Sequence, residues 1–444
     1  MAPTISNSTL YIVYLNVVLY ATCYQLQRPI EPFMVEKLGL NAGGSSSDAQ
    51  GAYMQLQSFF SMLQMIGSLF IGMLIDKIGS KGGFILCFSA SALSYGLLAC
   101  ATSIEVLYLS KIPTIFQAGF LCAQSAVVET TPEGSARVAA LGRLTVCYTV
   151  GSIIGPLVGG LIGASGDYYL GAKASVVGSL LSVVLCFFMQ TPVHNTAKAK
   201  KNDSVTKDSV VEGDAVGGNA KKAFPFNVLA VVQAVWLLLG TKLVSGVANS
   251  IASFVLPLIL KDTYGMNEAG LGMSMSVMSA FNALVNGVLL APITQYFKNN
   301  FLALIKSCLL WMFVFYGVQF FCSSSTFGEP FEFISGYYPF IATCVILSMF
   351  QYVLATVITS ESTTQVEEDS KGTLIGLEHS LFALARVWTP QLGLAVLTWG
   401  GVSGVSGVCG AVYFGTCVVW ATVATCGVKG GAGGVECHGE KKDL

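Results

Sequence analysis

A few charged side chains fall inside long apolar runs of the sequence. An unpaired charge near the centre of a membrane helix costs roughly 3 kcal/mol or more. Such a group is therefore expected to bind a partner, a substrate or a transferred ion. We predict a role in substrate binding or ion coupling for six residues: Arg28, Glu31, Lys111, Lys242, Glu378 and Arg386.

The first half of the chain holds three of these residues. Arg28 and Glu31 lie three apart just before Pro32. On one continuous helix they share a face and are predicted to pair, either in a cavity or at the membrane surface. Lys111 begins its apolar run, so it either lines a cavity or extends its ammonium group to the interface.

The second half holds the other three. Arg386 lies about 20 Å along the run that begins near residue 373, at 1.5 Å per residue, and four residues before Pro390. This depth favours a central cavity. The depth of Lys242 stays undecided. Glu378 precedes His379, and the two either carry a proton or His379 is a neutral, hydrogen-bonded histidine.

A glycine-rich string predicts close helix packing. Its glycines at positions 151, 155 and 159 fall on one face of a helix, where a neighbouring backbone can approach. The proline at 156 removes a backbone donor and is expected to kink the helix. The string contains Gly151, Gly155, Pro156, Gly159 and Gly160.

A second motif, at the end of the second apolar run, reads glycine, acid, base, glycine, base. Asp76 can lie at the N-terminus of a neighbouring helix and stabilise its dipole, which predicts a latch. Glu129 and Glu361 end two equivalent runs and are either gate carboxylates or solvated helix ends. The predicted gating residues are Asp76, Lys77, Gly79, Lys81, Glu129, Arg143 and Glu361.

The elements that position these residues are apolar runs long enough to cross a hydrocarbon core of about 30 Å. We count twelve, and a polar, lysine-rich segment divides them. The predicted fold is an all-α polytopic membrane protein with two pseudo-symmetric six-helix halves. The boundaries are 1–191 for the first half, 192–225 for a cytoplasmic linker, 226–428 for the second half and 429–444 for a cytoplasmic tail.

Composition excludes other classes of protein. Charged residues make up 11% of the 444 residues and hydrophobic residues 53%, where soluble domains carry about 25% charged residues. The net charge of −1 excludes the strongly basic surface that nucleic-acid binding needs. The sequence contains no nucleotide-binding loop, metal-ligand cluster or nucleophile motif, so we expect no enzymatic activity, cofactor or metal.

Lys and Arg residues outside the runs concentrate on the side of the linker, which predicts that both termini are cytoplasmic. The terminal Lys441-Lys442-Asp443-Leu444 resembles a di-lysine retrieval signal of endoplasmic-reticulum membrane proteins. A solvated tail is the alternative. The membrane is therefore either the plasma membrane or the endoplasmic reticulum.

The glycine-rich string Gly151-Ser-Ile-Ile-Gly155-Pro156 resembles the signature of the drug:proton antiporters of the major facilitator superfamily. The loop Gly72 to Lys81 resembles the superfamily's loop between helices two and three, and Leu384-Ala-Arg386-Val-Trp-Thr-Pro390 resembles its organic-cation-transporter-like, tetracycline-resistance-like solute carriers.

This resemblance implies the major facilitator fold and proton-linked export of small amphipathic organic molecules, often cations. The expected partners are an organic substrate, protons and the lipid bilayer. One departure concerns the fourth helix, where the family's Arg appears as Lys111. Three alternatives stay open: an organic-anion carrier, a facilitative uniporter, and a non-transporting scaffold or receptor on the same fold.

Overall fold

The computed structural model describes residues 7–131, 135–190, 228–298, 300–323, 336–366 and 371–430. Within these ranges the chain is helical and contains no strand. The first half comprises α1 (Asn7–Leu26), α2 (Glu31–Asn41), α3 (Ser46–Ala99), α4 (Ile104–Lys111), α5 (Gly119–Thr130), α6 (Ser135–Gly163) and α7 (Leu170–Phe187). The second half comprises α8 (Val228–Leu258), α9 (Glu268–Leu284), α10 (Leu290–Tyr296), α11 (Phe301–Ser323), α12 (Tyr337–Thr364) and α13 (Lys371–Gly430).

The membrane character is confirmed. In the part of the chain that the structure describes, ten helical segments are long and apolar enough to cross a membrane. One of them, Leu381–Val423, has 43 residues and holds two predicted runs, separated where Gly401 adopts a φ of 60°. The predicted run 54–75 lies in the first part of α3, where several side chains are outside the described residues. The count of twelve therefore stays a prediction.

Two predicted runs are broken rather than continuous. The first run divides into α1 and α2, with a turn at residues 27–30 before Pro32. The fourth divides into α4 and α5, because a 3-10 turn at Ile112–Phe116 contains Pro113. Proline removes a backbone donor and clashes with the preceding turn. Both breaks lie next to charged residues singled out above.

The two halves meet through a few helices. Helix α6 packs on α1 within the first half and on α9 of the second half, and α3 packs on α13. Large apolar side chains cover the outer surface, as at Trp399, which is 82% exposed. Lipid contact accounts for such a surface.

The linker 192–225 and most of the tail 429–444, including its two lysines, lie outside the described residues. The boundaries of the halves, the orientation of the termini and the retrieval signal stay predictions.

Candidate functional site

A central cavity lies between the two halves, and the space between its walls, open solvent included, is about 720 Å³. Its walls come from α1 to α4, from the turns after α1 and after α4, and from α8 and α13. Four of the predicted binding residues line it: Arg28, Glu31, Lys111 and Arg386.

Glu31 is the first residue of α2 and forms a buried ion pair with Lys111 at the end of α4. Its other carboxylate oxygen accepts a hydrogen bond of 2.8 Å from Gln57 Nε2 on α3. An acid at a helix start and a base at a helix end each stabilise the helix dipole. The Lys111 ammonium also lies 5.5 Å from the centre of the Phe60 ring, a cation–π distance.

The predicted pair between Arg28 and Glu31 is replaced by this contact. Arg28 lies in the turn at 27–30 and donates to Gln25 Oε1 at 3.4 Å. The prediction assumed one continuous helix, where residues three apart share a face. Because α1 ends at Leu26, that geometry does not apply. The Arg28 side chain is exposed and lines the cavity.

Arg386 lies at the cavity, as its depth predicted. Its guanidinium carbon is 5.8 Å from the centre of the Phe254 ring on α8, and its side chain is exposed. Pro390 lies one turn further along the same helix. The ring of Phe254 gives the guanidinium a neutral partner and leaves its donors available to a ligand.

The charge of the cavity is unbalanced. Its lining carries three cationic side chains and one carboxylate, a net formal charge of +2. The ion pair with Lys111 already neutralises Glu31. Among the described residues, neither Arg28 nor Arg386 has a carboxylate partner. The cavity therefore presents two guanidinium groups to whatever it binds.

Lys242 and Glu378 lie outside the cavity lining. They form a second buried ion pair, between α8 and α13. Thr359 Oγ1 accepts from Lys242 Nζ at 2.5 Å, and Ser362 Oγ donates to Glu378 Oε1 at 3.3 Å. The pair thus joins α8, α12 and α13 within the second half. The side chain of His379 is outside the described residues.

Three glycines of the predicted string face α1 of the same half. A Cβ on Gly155 would lie 2.7 Å from Gln25 Cβ and 2.8 Å from the Thr22 carbonyl oxygen. Gly151 and Gly159 approach the backbone of α1 in the same way. Helix α6 continues through Pro156. This face packs the first half together rather than joining the two halves.

Gly160 makes one of the contacts between the halves. A Cβ on Gly272 of α9 would lie 2.8 Å from Gly160 Cα, so the two helices touch through their backbones. One turn along, Ser276 Oγ donates to the Ile153 carbonyl oxygen at 2.8 Å. The sequence analysis predicted this helix but not its contact with Gly160. The spacing of four between Gly272 and Ser276 was the available signal.

Polar contacts close the same end of the molecule. Lys261 Nζ lies 2.7 Å from Glu36 Oε2, and Gln50 Nε2 donates to Asp262 Oδ2 at 2.9 Å. Each contact joins the first half to the second. In the short loop before α7, burial and the neighbouring Glu268 carboxylate raise the pKa of Tyr168 to about 12, so its phenol is a neutral donor. We call this end the closed end.

The predicted gating loop is partly described. Gly79 has a φ of 74°, a conformation that favours glycine, and it separates two segments of α3. Lys81 Nζ donates to the carbonyl oxygens of Phe187 at 3.1 Å and Met189 at 2.8 Å, at the end of α7. Lys77 is exposed. The side chain of Asp76 is outside the described residues, so the latch stays a prediction.

The two helix-end acids have neutral partners. Glu129 accepts from Ser80 Oγ at 2.6 Å, which joins α5 to α3. Glu361 accepts from Gln365 Nε2 at 2.9 Å on its own helix. Arg143 is exposed on α6. The gate role of both acids and the alternative of solvated helix ends stay predictions.

The chain matches the family model of the Major Facilitator Superfamily over residues 13–328. The chain belongs to the major facilitator superfamily. It is 26% identical over 403 residues to solute carrier family 22 member 18 of Mus musculus, covering 88% of this chain and 90% of the relative. It is 22% identical over 295 residues to the class G tetracycline resistance protein of Vibrio anguillarum, covering 65% and 68%.

The superfamily fold is also found among solved structures. The human organic anion transporter MFSD10 superposes with a TM-score of 0.60 at 15% identity, covering 95% of this chain and 100% of that chain. The predicted family resemblance, fold class and multi-pass membrane character are confirmed. Superfamily members are transporters and not enzymes. Among the described residues no three His, Cys, Asp or Glu side chains form a group that could hold a metal ion.

Proposed function

We propose that this superfamily member is a secondary transporter that binds small organic anions in its central cavity. The observation that carries the proposal is the net charge of +2 on the cavity lining. Arg28 and Arg386 are exposed to the cavity and have no carboxylate partner among the described residues, so their charges favour an anionic substrate. A human organic anion transporter with the same fold is compatible with this choice.

The resemblance alone implied substrates that are often cations. A cation entering the cavity would meet Arg28 and Arg386, and Glu31 would have to leave Lys111 before it could act as a counter-charge. Like charges at close range disfavour binding. The geometry therefore favours the organic-anion alternative.

The Glu31–Lys111 pair supplies a route to proton coupling. When Glu31 takes up a proton, its charge is lost and the Lys111 ammonium becomes available to the substrate. A proton and an anion would then bind together, because each removes a charge that opposes the other. The resemblance also implies export. This is a separate proposal, and measuring the direction of flux tests it.

The test is transport in proteoliposomes, with organic acids and organic cations of matched size, with and without a pH gradient. Organic acids should be transported and cations excluded. Arg386→Ala should lower organic-acid flux about tenfold or more, since a charge-assisted hydrogen bond is lost. Arg386→Lys should restore it only in part, because an ammonium cannot reproduce the planar guanidinium fork.

The matched control is Lys173→Ala. Lys173 pairs with Asp167 near one end of α7, and its side chain is 58% exposed. This variant removes a cation outside the cavity and should transport like the unmodified protein. Transport of cations in preference to acids, unaffected by Arg386→Ala, would overturn the proposal.

A further inference from the structure

A second cavity lies inside the second half, beside the central cavity. The space between its walls, open solvent included, is about 500 Å³, and it is formed by α8, α9, α11, α12 and α13, with one residue from the turn that follows α8. No charged residue is part of its lining. We call it the apolar chamber.

The apolar chamber and the central cavity share a wall on α8. Ser253 lines both spaces, and its side chain is exposed. Ala252 and Leu256 line the chamber, whereas Phe254 and Pro257 line the central cavity. The two spaces therefore adjoin at Ser253.

Most polar side chains of the chamber already have partners within the protein. Ser406 Oγ donates to Gln319 Oε1 at 3.1 Å, and Gln319 Nε2 donates to Thr343 Oγ1 at 3.3 Å. Ser348 Oγ donates to Asn282 Oδ1 at 3.0 Å. These bonds occupy the side chains of Ser406, Gln319 and Ser348. Asn249 and Ser253 also line the chamber, but most of its surface is apolar.

The surfaces left for a ligand are hydrocarbon, thioether and aromatic. They include Leu256, Ile259, Met278, Phe340, Leu347 and Val402. A group that enters this space from the central cavity gains free energy in proportion to the apolar area it buries.

We propose that the apolar chamber receives the hydrophobic portion of an amphipathic organic anion whose acidic group binds at Arg28 and Arg386. The inference rests on the proposed function, since it assigns the substrate's acidic end to the cationic cavity. It adds a specificity element, because the chamber selects acids by the size and shape of their apolar part.

The experiment measures binding of straight-chain carboxylic acids of increasing length to the full chain in nanodiscs. Empty nanodiscs give the partitioning into lipid. Each methylene that enters the chamber should raise the affinity about three- to fourfold. Ala252→Leu places extra carbon atoms in the chamber and should abolish this gain for long chains while leaving the shortest acids unchanged.

Two further variants separate filling of the chamber from misfolding. Ala355→Leu is the matched control, because Ala355 is half-buried on α12 and lines neither cavity. It should keep the chain-length profile. Phe340→Ala enlarges the chamber and should extend the affinity gain to longer acids. Unmodified chain-length profiles in both Ala252→Leu and Phe340→Ala would overturn the inference.

A parallel series of straight-chain alcohols distinguishes failure of the inference from failure of the proposed function. One outcome is that the affinity of alcohols rises with chain length and Ala252→Leu removes this rise, but carboxylic acids bind no better than alcohols. That outcome supports the apolar chamber and contradicts the anion proposal. If acids bind through Arg386 without any length dependence, the anion proposal stands and the chamber falls.

Discussion

Lys111 pairs with Glu31 across 80 residues of sequence and joins the end of α4 to the start of α2. Their side chains are only 13% and 10% exposed. Because both charges are largely removed from water, each depends on the other for its stability.

Breaking the pair from one side should destabilise the protein. Lys111→Met leaves the Glu31 carboxylate buried, and we expect a loss of about 3 kcal/mol in unfolding free energy. The double variant with Glu31→Gln should recover most of that loss, because no charge is left unpaired. Unfolding in detergent measures both, and equal losses in the single and double variants would contradict a coupled pair.

Glu31→Gln should also remove the dependence of transport on a pH gradient. The amide cannot take up a proton in the working range, so Lys111 no longer changes its availability. Flux in proteoliposomes with and without a gradient measures this effect. Glu105→Gln, on the exposed first turn of α4, is the control and should keep the gradient dependence. Gradient-driven flux in Glu31→Gln would place coupling elsewhere.

A side chain at Gly160 should separate the two halves. A Cβ at this position would lie 2.5 Å from the Glu268 carbonyl oxygen, and Gly160→Val should lower transport strongly or make it leaky. Gly142→Val on the same helix is the control, since a Cβ there has no atom within 4 Å. Surface labelling checks insertion. If both variants insert equally and transport equally, the contact at Gly160 is not needed for transport and the prediction is wrong.

Holding the closed end shut should stop alternating access. Gln50 Nε2 of the first half donates a hydrogen bond of 2.9 Å to Asp262 Oδ2 of the second half. Cysteines at these positions, joined by a short thiol-reactive crosslinker, should block transport. Each single cysteine variant, treated with the same reagent, is the control and should remain active. Continued transport in the crosslinked protein would show that this end does not open.

Lys242 and Glu378 should stabilise the second half rather than bind substrate. Either single change, Lys242→Met or Glu378→Leu, should cost about 3 kcal/mol because it leaves a buried charge. The double variant should fold and keep the substrate preference of the unmodified protein. A changed preference in a stably folded double variant would return both residues to the binding site.

The sequence analysis was most successful where the signal was local. The apolar runs, the depth of Arg386 and the close packing around Gly155 follow from residues within one helix. It was wrong about the partner of Arg28, because a break at residues 27–30 moves Arg28 off the helix that starts at Glu31. Lys242 and Glu378 lie outside the cavity lining, and their predicted role in substrate binding or ion coupling stays a prediction.

The sequence by itself determined the membrane class, the helical fold and the set of charges that must find partners. These follow from hydrophobic length and from the cost of an ion in hydrocarbon, which depend on composition over about twenty residues. Only the tertiary structure decided which charges meet. Glu31 lies beside Lys111, and Gly160 beside Gly272, because helix breaks and backbone contacts bring distant residues together. No local pattern encodes those distances.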